Sequence, residues 1–407
     1  MEISPDSVHS PRVSKRIAII GGGPAGLRAA EVCAQAGATV TVFDAKRSVG
    51  RKLLVAGYGG LNITHGEPLE KFITRYSGPD LPNDRMAEWI SSFTPEDLRA
   101  WAAKLGIETF EQRTGRVYPK EMKAAPLLRR WIERLRKEGV QFEVKHRLTD
   151  LQSDRVIRAT FNNDIILEFD AVILALGGGS WPKTGSDGKW ASLLSDRGIH
   201  IKPLIPANCG WEIDWPAELS EKIEGRPLKN LSVTADGLTI RGELMPTRYG
   251  FEGGAIYQLG PALRSMDKPT IIIDFKPEVS EQALGRRLES VRKGFVAAAR
   301  ERLRLTEHAI TLMQYHAPSL NSTEAIIQAC KSLHIPLTRP RPIDEAISSA
   351  GGVAWSEIDD SLMLKKLPGI FVAGEMIDWE APTGGYLIQG CFAIATHAAK
   401  CAVEYRL

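Results

Sequence analysis

The stretch KRIAIIGGGPAGLRAAEVCAQAGATVTVFD, residues 15–44, decides the fold of this chain. Residues 17–20 are uniformly apolar, which is typical of a parallel strand buried on both faces. The run leads into Gly21, Gly23 and Gly26, which have the spacing G-x-G-x-x-G. In that spacing the first glycine allows a tight turn, the second lets a pyrophosphate approach the backbone, and the third lets a helix pack on the strand. The stretch therefore predicts a dinucleotide-binding loop.

The residues after the glycines complete this fingerprint. We expect a helix over about residues 25–36, ended by Gly37, and a second strand over residues 39–43. Asp44 ends that strand, where a carboxylate can accept hydrogen bonds from ribose hydroxyls. The carboxylate argues against a 2′-phosphate there but does not separate NAD from FAD. A lone glycine motif also occurs in plain turns, but strand, helix and acid in this order favour the nucleotide site.

Length and composition set the class of protein. At 407 residues the chain has room for two or three domains, and a formal net charge of +3 does not predict a nucleic-acid partner. Residues 1–14 are polar and are not a signal peptide, and no apolar run reaches the roughly 20 residues of a membrane span. The five cysteines lack a C-x-x-C pair, and the eight histidines lack metal-ligand spacing. We expect a cytoplasmic protein with a small-molecule substrate and no metal, and leave the oligomeric state open.

A glycine-rich segment, AKRSVGRKLLVAGYGGLNITH at residues 45–65, follows the first strand pair. Its glycines oppose a long helix and permit close approach to a flat or phosphorylated group. Arg51 and Lys52 offer cations for a pyrophosphate, and Asn62 offers hydrogen bonds at the far end of a long cofactor. An FAD domain needs such a segment beneath its ribityl chain and flavin, whereas an NAD domain does not. The alternative is a mobile surface loop.

Further along, helix and strand patterns alternate as in a doubly wound sheet. The predicted elements are a helix capped by Thr94, a loop at 113–120, a helix over about 125–138, a strand at 140–145, an antiparallel meander at 155–169 with a turn at 162–164, and an apolar strand at 171–176. Leu148 is expected near an adenine. The glycine-rich residues 177–188 lack the full G-x-G-x-x-G spacing, so they do not predict a second NAD(P) site.

The sequence pattern changes in the middle of the chain. Residues 204–277 are predicted to form strands separated by turns, and residues 278–338 are predicted to be helical, with Ser280 as a cap. After these residues, the pattern of apolar strands followed by glycine-rich loops reappears. We therefore predict an FAD-binding domain of residues 1–203 and 339–407, interrupted by an inserted β-rich domain and an inserted helical domain.

A run of cations lies in the helical part. Residues 286–304 contain seven Arg and Lys side chains and two Glu side chains. The ordinary explanation is a solvated helix face. The alternative is a flavoprotein that binds or modifies RNA through a basic helix at 286–304.

The last part of the chain again has a pattern that is typical of a cofactor site. Residues 367–374 form an apolar strand that ends in Gly374 and is followed by Glu375 and Asp378, which suits a carboxylate set against ribityl hydroxyls. Gly384 and its neighbours then open a final helix, over about residues 386–405. The positive end of that helix would stabilise the charge of a reduced flavin. The alternative is an ordinary C-terminal strand and helix.

Together these motifs resemble the BaiN/RdsA-type (YhiN-like) NAD(P)/FAD-dependent oxidoreductases over nearly the whole chain. The resemblance rests on GGGPAG at 21–26, GRKLLVAGYGGLN at 50–62, GRVYP at 115–119, ALGGGSWPKTGSDG at 175–188, AGGV at 350–353 and GIFVAGEMIDWEAPTGGYLIQG at 369–390. Many members have GGGRCN where this chain has YGGLN at 58–62, and GGYN where Leu387 follows Tyr386. The chain therefore resembles a separate branch with GGLN in place of GRCN, without a cysteine beside the flavin.

The resemblance implies an α/β fold, with a Rossmann-type FAD-binding domain of the glutathione/fumarate-reductase kind and the two inserted parts. It implies an FAD-dependent oxidoreductase of unknown substrate, with hydride transfer through a non-covalently bound flavin and NADPH or NADH as a transient electron donor. The FAD-lining residues that it implies are Gly21, Gly23, Gly26, Asp44, Lys52, Asn62, Gly374, Glu375, Asp378, Gly384 and Gly385. The same segments predict further contacts at Pro24, Ala25, Ala45, Lys46, Gly50, Arg51, Leu53, Ala56, Gly57, Gly59, Gly60, Leu148, Ala175, Gly177 and Tyr386. No catalytic acid or base is assigned.

Overall fold

A computed structural model describes residues 14–162 and 164–406 of the chain. The polar segment up to residue 13, Asn163 of the predicted turn and residue 407 lie outside the described residues. The chain divides into two compact units: unit 1 runs up to Leu204 and resumes at Ala350, and unit 2 is Ile205–Ser349. Unit 2 thus contains the β-rich part and the helical part that the sequence predicts as separate domains.

The secondary structure alternates strands and helices through most of the chain. The strands are β1 (Arg16–Ile20), β2 (Thr39–Asp44), β3 (Thr64–His65), β4 (Thr109–Glu111), β5 (Arg116–Pro119), β6 (Gln141–Val144), β7 (Leu148–Ser153), β8 (Ile157–Phe161), β9 (Ile165–Phe169), β10 (Ala171–Leu174), β11 (Ile201–Ala207), β12 (Trp211–Glu212), β13 (Leu228–Ala235), β14 (Leu238–Pro246), β15 (Gly250–Glu252), β16 (Thr270–Asp274), β17 (Leu333–Pro336), β18 (Ser348–Val353) and β19 (Ile370–Val372). The helices are α1 (Pro24–Gln35), α2 (Arg51–Ala56), α3 (Leu69–Ile73), α4 (Asn83–Ser92), α5 (Pro95–Lys104), α6 (Ala124–Lys137), α7 (Trp190–Ser195), α8 (Ala217–Ile223), α9 (Gly254–Gln258), α10 (Gly260–Ser265), α11 (Glu281–Leu288), α12 (Phe295–Arg302), α13 (Glu307–His316), α14 (Thr323–Lys331) and α15 (Tyr386–Glu404).

Unit 1 is built on a parallel five-stranded sheet with the strand order β19-β10-β1-β2-β6. Ile19 on the central strand lies opposite Val42 and Ile173, and all three side chains are fully buried. Continuous apolar strands of this kind are covered on both faces, and here α1 and α15 pack against each other beside the sheet. Because the strands are parallel, the segments that follow β1, β2, β10 and β19 meet at one edge. That edge is where ligands bind in doubly wound sheets. The predicted α/β Rossmann-type fold is confirmed.

The helix starts follow the capping residues that the sequence supplies. Pro24 occupies the first turn of α1, where its missing N–H costs no hydrogen bond. Thr94 and Asp97 form a capping box at the start of α5, and Ser280 accepts a hydrogen bond from the Ala283 N–H at the start of α11. Within residues 14–162 and 164–406, no helix combines the length and the apolarity that a bilayer crossing requires.

Two local predictions were wrong. Residues 113–120 are not only a loop: β5 lies between β3 and β4 in a three-stranded antiparallel sheet, because Val117 and Tyr118 need burial. The basic run at 286–304 is not one helix, since α11 ends at Leu288 and α12 begins after Gly294, which has a left-handed φ of 67°.

Unit 2 has its own hydrophobic core. Its six-stranded antiparallel sheet has the order β12-β15-β14-β13-β16-β17. Leu284 and Leu288 of α11 join one buried cluster with Ile273 of β16 and Leu333 of β17. The strands and helices of unit 2 therefore share a single core.

Candidate cofactor site

The loop between β1 and α1 contains glycines that are needed for two different reasons. A Cβ atom added to Gly21 would lie 2.2 Å from the carbonyl oxygen of Ala175, and one added to Gly26 would lie 1.8 Å from that of Gly21. The protein itself requires glycine at these two positions. A Cβ atom added to Gly23 would meet no protein atom within 4 Å. The space over Gly23 is therefore open, as it must be for a pyrophosphate to approach the backbone.

The Asp44 carboxylate faces this loop from the end of β2. Its Oδ2 atom accepts a hydrogen bond from the Gly22 N–H at 3.1 Å, and its Oδ1 atom accepts one from the Lys46 N–H at 2.8 Å. Burial raises the pKa of Asp44, although both hydrogen bonds oppose that shift. Each carboxylate oxygen keeps further acceptor capacity, which suits the two hydroxyls of a ribose.

A cavity of about 390 Å³ lies at this edge of the sheet. Its volume falls in the range of ligand pockets in proteins. The predicted residues that line it are Gly21, Gly23, Pro24, Ala25, Asp44, Ala45, Gly50, Arg51, Lys52, Leu148, Ala175, Gly177 and Glu375. The structure thus brings together residues from β1, β2, α2, β7, β10 and the segment after β19.

An ion pair crosses the cavity lining. The Lys52 ammonium lies 2.7 Å from Oε2 of Glu375 and 2.7 Å from the Ser180 hydroxyl oxygen. Lys52 lies in α2, and Glu375 follows β19. The two partners are 323 residues apart in sequence. The pair places a cation and a carboxylate side by side in the lining of the cavity. Cys391 also lines the cavity, and burial raises the pKa of its thiol to about 12, so the thiol is neutral at pH 7.

Part of the lining was missed by sequence reasoning. Nine residues between 184 and 196 line the cavity, although the incomplete motif at 177–188 did not predict an independent NAD(P) site; they are Thr184, Gly185, Ser186, Asp187, Lys189, Trp190, Ser192, Leu193 and Asp196. These residues could have been found from the sequence because they belong to the segment that follows the carboxyl end of β10, a strand that neighbours β1. Arg147 Nη2 lies 3.1 Å from Asp187 Oδ2 and links this segment to the start of β7. The other lining residues not predicted are Ile20, Gly22, Phe43, His146, Arg147, Thr149, Leu176, Ala373 and Cys391.

Half of the predicted contact residues lie outside the lining of the cavity. They are Gly26, Lys46, Leu53, Ala56, Gly57, Gly59, Gly60, Asn62, Gly374, Asp378, Gly384, Gly385 and Tyr386. Leu53 belongs to the hydrophobic core, and Asp378 is buried and lies 3.2 Å from the Lys202 ammonium. Asn62 donates to the carbonyl oxygens of Thr64 and Val117, at 3.1 and 2.9 Å. Contact of these residues with a cofactor stays a prediction.

The first turn of α15 is fixed by a cluster of polar side chains. The Tyr386 hydroxyl donates to Oε1 of Glu67 at 2.6 Å, and Arg75 donates to both oxygens of Glu67 at 2.8 and 2.7 Å. A Cβ atom added to Gly385 would lie 2.5 Å from the backbone of Thr64, and Gly385 has a left-handed φ of 93°. The N-terminus of this 19-residue helix is therefore held in one position against β3.

The acid–base groups of this cluster are already engaged. His65 stacks on the Tyr386 ring, with 5.3 Å between ring centroids. Its Nδ1 atom accepts from the Glu67 N–H, so Nε2 carries the proton and donates to the Thr114 carbonyl oxygen at 3.0 Å. Burial lowers the pKa of His65, and burial together with Glu67 raises the pKa of Tyr386. Neither side chain is poised to give a proton to a substrate.

The cavity thus fits a dinucleotide cofactor. Open backbone over Gly23 and the positive end of α1 suit a pyrophosphate, and Asp44 suits a ribose. The Asn62 Oδ1 atom is buried without a hydrogen-bond partner among the described residues, beyond the cavity lining. An unpartnered acceptor at that place is consistent with a cofactor that extends past the cavity.

Comparison with known proteins gives a match over nearly the whole chain. The family model described as HI0933-like protein Rossmann domain matches residues 15–401. The 3-dehydro-bile acid delta(4,6)-reductase of Clostridium scindens is 27% identical, over 96% of this chain and 99% of that protein. The ribosomal RNA dihydrouridine synthase of Escherichia coli is 22% identical, over 94% of this chain and 96% of that protein.

Solved structures give the same fold. The 3-ketosteroid-delta4-(5alpha)-dehydrogenase of Rhodococcus jostii RHA1 superimposes with a TM-score of 0.50 at 14% sequence identity. The match covers 98% of this chain and 99% of that structure. At this level of identity, the similarity concerns the fold alone.

Proposed function

Because this chain belongs to the HI0933-like Rossmann-domain family of FAD-dependent oxidoreductases, we propose that it reduces a carbon–carbon double bond conjugated to a carbonyl group. The observation that carries this proposal is a shared reaction type among the relatives. A delta(4,6)-reductase of a 3-dehydro-bile acid and a dihydrouridine synthase both add hydrogen to a double bond in a ring. In both ring systems a carbonyl conjugated to the alkene accepts the developing negative charge.

The residues of the cavity support the cofactor side of this proposal. The loop at Gly23 and the N-terminus of α1 would hold the pyrophosphate, and Asp44 would hold the ribose of the adenosine half. Lys52 and Glu375 would bind the polar chain that joins the two halves. When bound, FAD supplies the hydride for the reduction. Since no histidine stands just before residues 56–62 in the sequence, FAD would be bound non-covalently.

The protein also has to direct charge and protons. The N-terminus of α15 is held by the hydrogen bond from Tyr386 to Glu67, and in this proposal its positive dipole end would face the flavin. His65 is held neutral, and its two ring nitrogens are engaged. We therefore assign no proton donor among these residues, and water or a substrate-bound group would deliver the proton.

The electron donor in this proposal is NADPH or NADH. The chain has one complete G-x-G-x-x-G fingerprint, at residues 21–26, and the cavity there is assigned to FAD. A nicotinamide would then dock only transiently. Anaerobic titration of the purified protein with each nicotinamide, followed in the visible flavin bands, identifies the donor: bleaching is expected, and a flavin that stays oxidised would contradict this donor.

The reaction itself is tested by turnover. The holoenzyme is incubated with NADPH or NADH and an α,β-unsaturated ketone, of fused-ring type and of simple cyclic type, and the product is analysed by mass spectrometry. We expect a product that has gained two hydrogen atoms across the alkene. The matched saturated ketone should not be consumed, because it lacks the conjugated double bond.

Variants that remove the cofactor serve as the control. Asp44→Ala and Glu375→Ala should each lower the FAD content and the turnover together. Unchanged flavin content in both variants would contradict the site assignment. Reduction of the carbonyl group to an alcohol, in the saturated ketone or in the unsaturated ketone with its double bond intact, would contradict the proposed reaction.

A further inference from the structure

Unit 2 has a concentrated cluster of exposed cations. We define the basic patch as the seven exposed side chains that α11, α12 and their flanking turns supply. They are Arg286, Arg287, Arg292, Lys293, Arg300, Arg302 and Arg304. The proposed function gives this surface no role.

The folded structure joins the cations of the two helices. Arg302 Nη1 on α12 donates to the Ser290 hydroxyl at 2.8 Å and to the Arg287 carbonyl oxygen at 3.3 Å. Beneath them, Leu288 and Ala299 are completely buried in the core of unit 2. The two helices therefore turn their apolar sides inward and present their cations on a common outer surface.

Few of these cations are neutralised by the protein. Among residues 14–162 and 164–406, Arg300 alone of the patch has a carboxylate within 4.0 Å, that of Glu307. Unit 2 has equal numbers of basic and acidic residues, 18 of each, whereas residues 286–304 have seven basic and two acidic residues. The positive charge is thus concentrated locally within a neutral unit, and it creates a positive potential over this surface.

The composition of the patch selects among anionic partners. All of residues 281–304 are described, and none of the large apolar side chains among them is exposed. A membrane-surface helix inserts such side chains into the acyl boundary, and a protein interface uses aromatic or aliphatic anchors. The patch has guanidinium groups instead, which pair with phosphate oxygens in a planar, two-pronged geometry. These features favour a phosphate polymer.

We propose that the basic patch binds RNA through its phosphate backbone. The proposal deepens, and rests on, the proposed function, because the uracil ring of RNA contains a carbon–carbon double bond conjugated to a carbonyl. Because residues 281–304 have no exposed aromatic side chain for base stacking, the patch binds RNA without reading its sequence. The binding energy is therefore electrostatic, and it depends steeply on salt.

The test measures binding of fluorescein-labelled oligouridylate to the FAD-loaded protein by fluorescence anisotropy, over roughly 50 to 200 mM salt. The patch variant R292E/K293E/R304E changes three side chains that lie outside the helices. The matched control, R226E/K229E/K268E, makes the same charge change at exposed cations elsewhere in unit 2. We expect the patch variant to bind at least about tenfold more weakly with a flatter salt dependence, and the control to bind within about threefold of the parent chain. Oligoadenylate should bind about as well as oligouridylate.

Equal loss of affinity in both triple variants, or no loss in either, would overturn the proposal. Binding to vesicles that contain an acidic phospholipid, without binding to RNA, would overturn it in favour of a membrane surface. Both variants should keep their FAD and their turnover of a free unsaturated ketone. Failure of the parent chain to bind RNA while it still reduces the free ketone therefore refutes the patch, whereas failure of the free ketone to react refutes the proposed function.

Discussion

At Gly21 and Gly26 an added Cβ atom would collide with backbone oxygens of the protein, whereas at Gly23 it would meet nothing within 4 Å. A spacing motif in the sequence cannot separate these cases, because all three positions read as the same letter. The structure separates the two glycines that the fold needs from the one whose surroundings are open. That distinction can be measured.

Gly23→Ala should leave the stability of the FAD-free protein unchanged and weaken FAD binding at least about tenfold, which corresponds to about 1.4 kcal/mol. The reason is that the new methyl group would occupy space reserved for the pyrophosphate. Thermal unfolding of the FAD-free protein and fluorescence titration with FAD check the two parts.

Gly26→Ala is the matched control, because its methyl group would strike the Gly21 carbonyl oxygen. We expect it to lower the free energy of unfolding of the FAD-free protein by about 1–3 kcal/mol, the usual cost of overpacking. If Gly23→Ala destabilised the FAD-free protein as much as Gly26→Ala does, the open space over Gly23 would not be a ligand site.

The other residues of the site differ in whether neighbouring or distant parts of the sequence determine their position. Asp44 was predictable because β2, which it ends, and the glycine loop lie within one short stretch of sequence. The Lys52–Glu375 pair was not predictable as a pair, because its members are 323 residues apart and meet only when β19 joins the sheet. The two residues were predicted separately as cofactor contacts.

At the scale of elements, the start of α15 depends on side chains far from it in sequence. Burial works to raise the pKa of Glu67, but hydrogen bonds from Arg75 and Tyr386 outweigh it, and the pKa is lowered below 4.5. A lowered carboxyl pKa stabilises the folded state above the ordinary pKa of glutamate. That stabilisation is lost as the pH falls through the lowered value.

Tyr386→Phe removes the hydroxyl but keeps the ring that stacks on His65. It should lower the free energy of unfolding at pH 7 by about 1–2 kcal/mol, because a hydrogen bond to a charged group is lost. The difference from the parent protein should shrink as the pH falls from 4.5 through the lowered pKa of Glu67, where the folded protein takes up the proton. Urea unfolding of the FAD-free proteins across this pH range measures both effects.

Glu67→Gln is the matched control, since it cannot ionise and should remove the acid dependence that Tyr386 contributes. A Tyr386→Phe variant with full stability at pH 7 would show that the hydroxyl does not hold α15. A difference from the parent protein that grew in acid would show that the ionised carboxylate is not its partner.

The predictable elements are those whose signals are local. Thr94 and Ser280 marked helix starts correctly, because a capping side chain and the backbone N–H that donates to it lie within one turn. Strand β5 was missed since its three consecutive buried residues show no alternation, and its partners β3 and β4 define it. The basic run at 286–304 was predicted as one helix because that prediction followed the cations and gave no weight to Gly294, which precedes a new helix.

At the scale of the molecule, the sequence predicted an interrupted FAD domain because glycine-rich strand ends reappear near the C-terminus. It did not predict that the β-rich and helical parts share one core. That core joins α11 to β16 and β17 through nonlocal packing. No change of composition along the sequence indicates such packing. The boundary of unit 2 is therefore a property of tertiary contacts.

The central claim is that the chain is an FAD-dependent reductase of conjugated alkenes. Its most direct test is a single turnover: the FAD-loaded protein is reduced without oxygen, mixed with an α,β-unsaturated ketone, and followed in the visible flavin bands. We predict that the oxidised bands return as one saturated ketone forms for each flavin. A flavin that stays reduced with every conjugated ketone and with uridine in RNA, yet reoxidises in air, would contradict the claim.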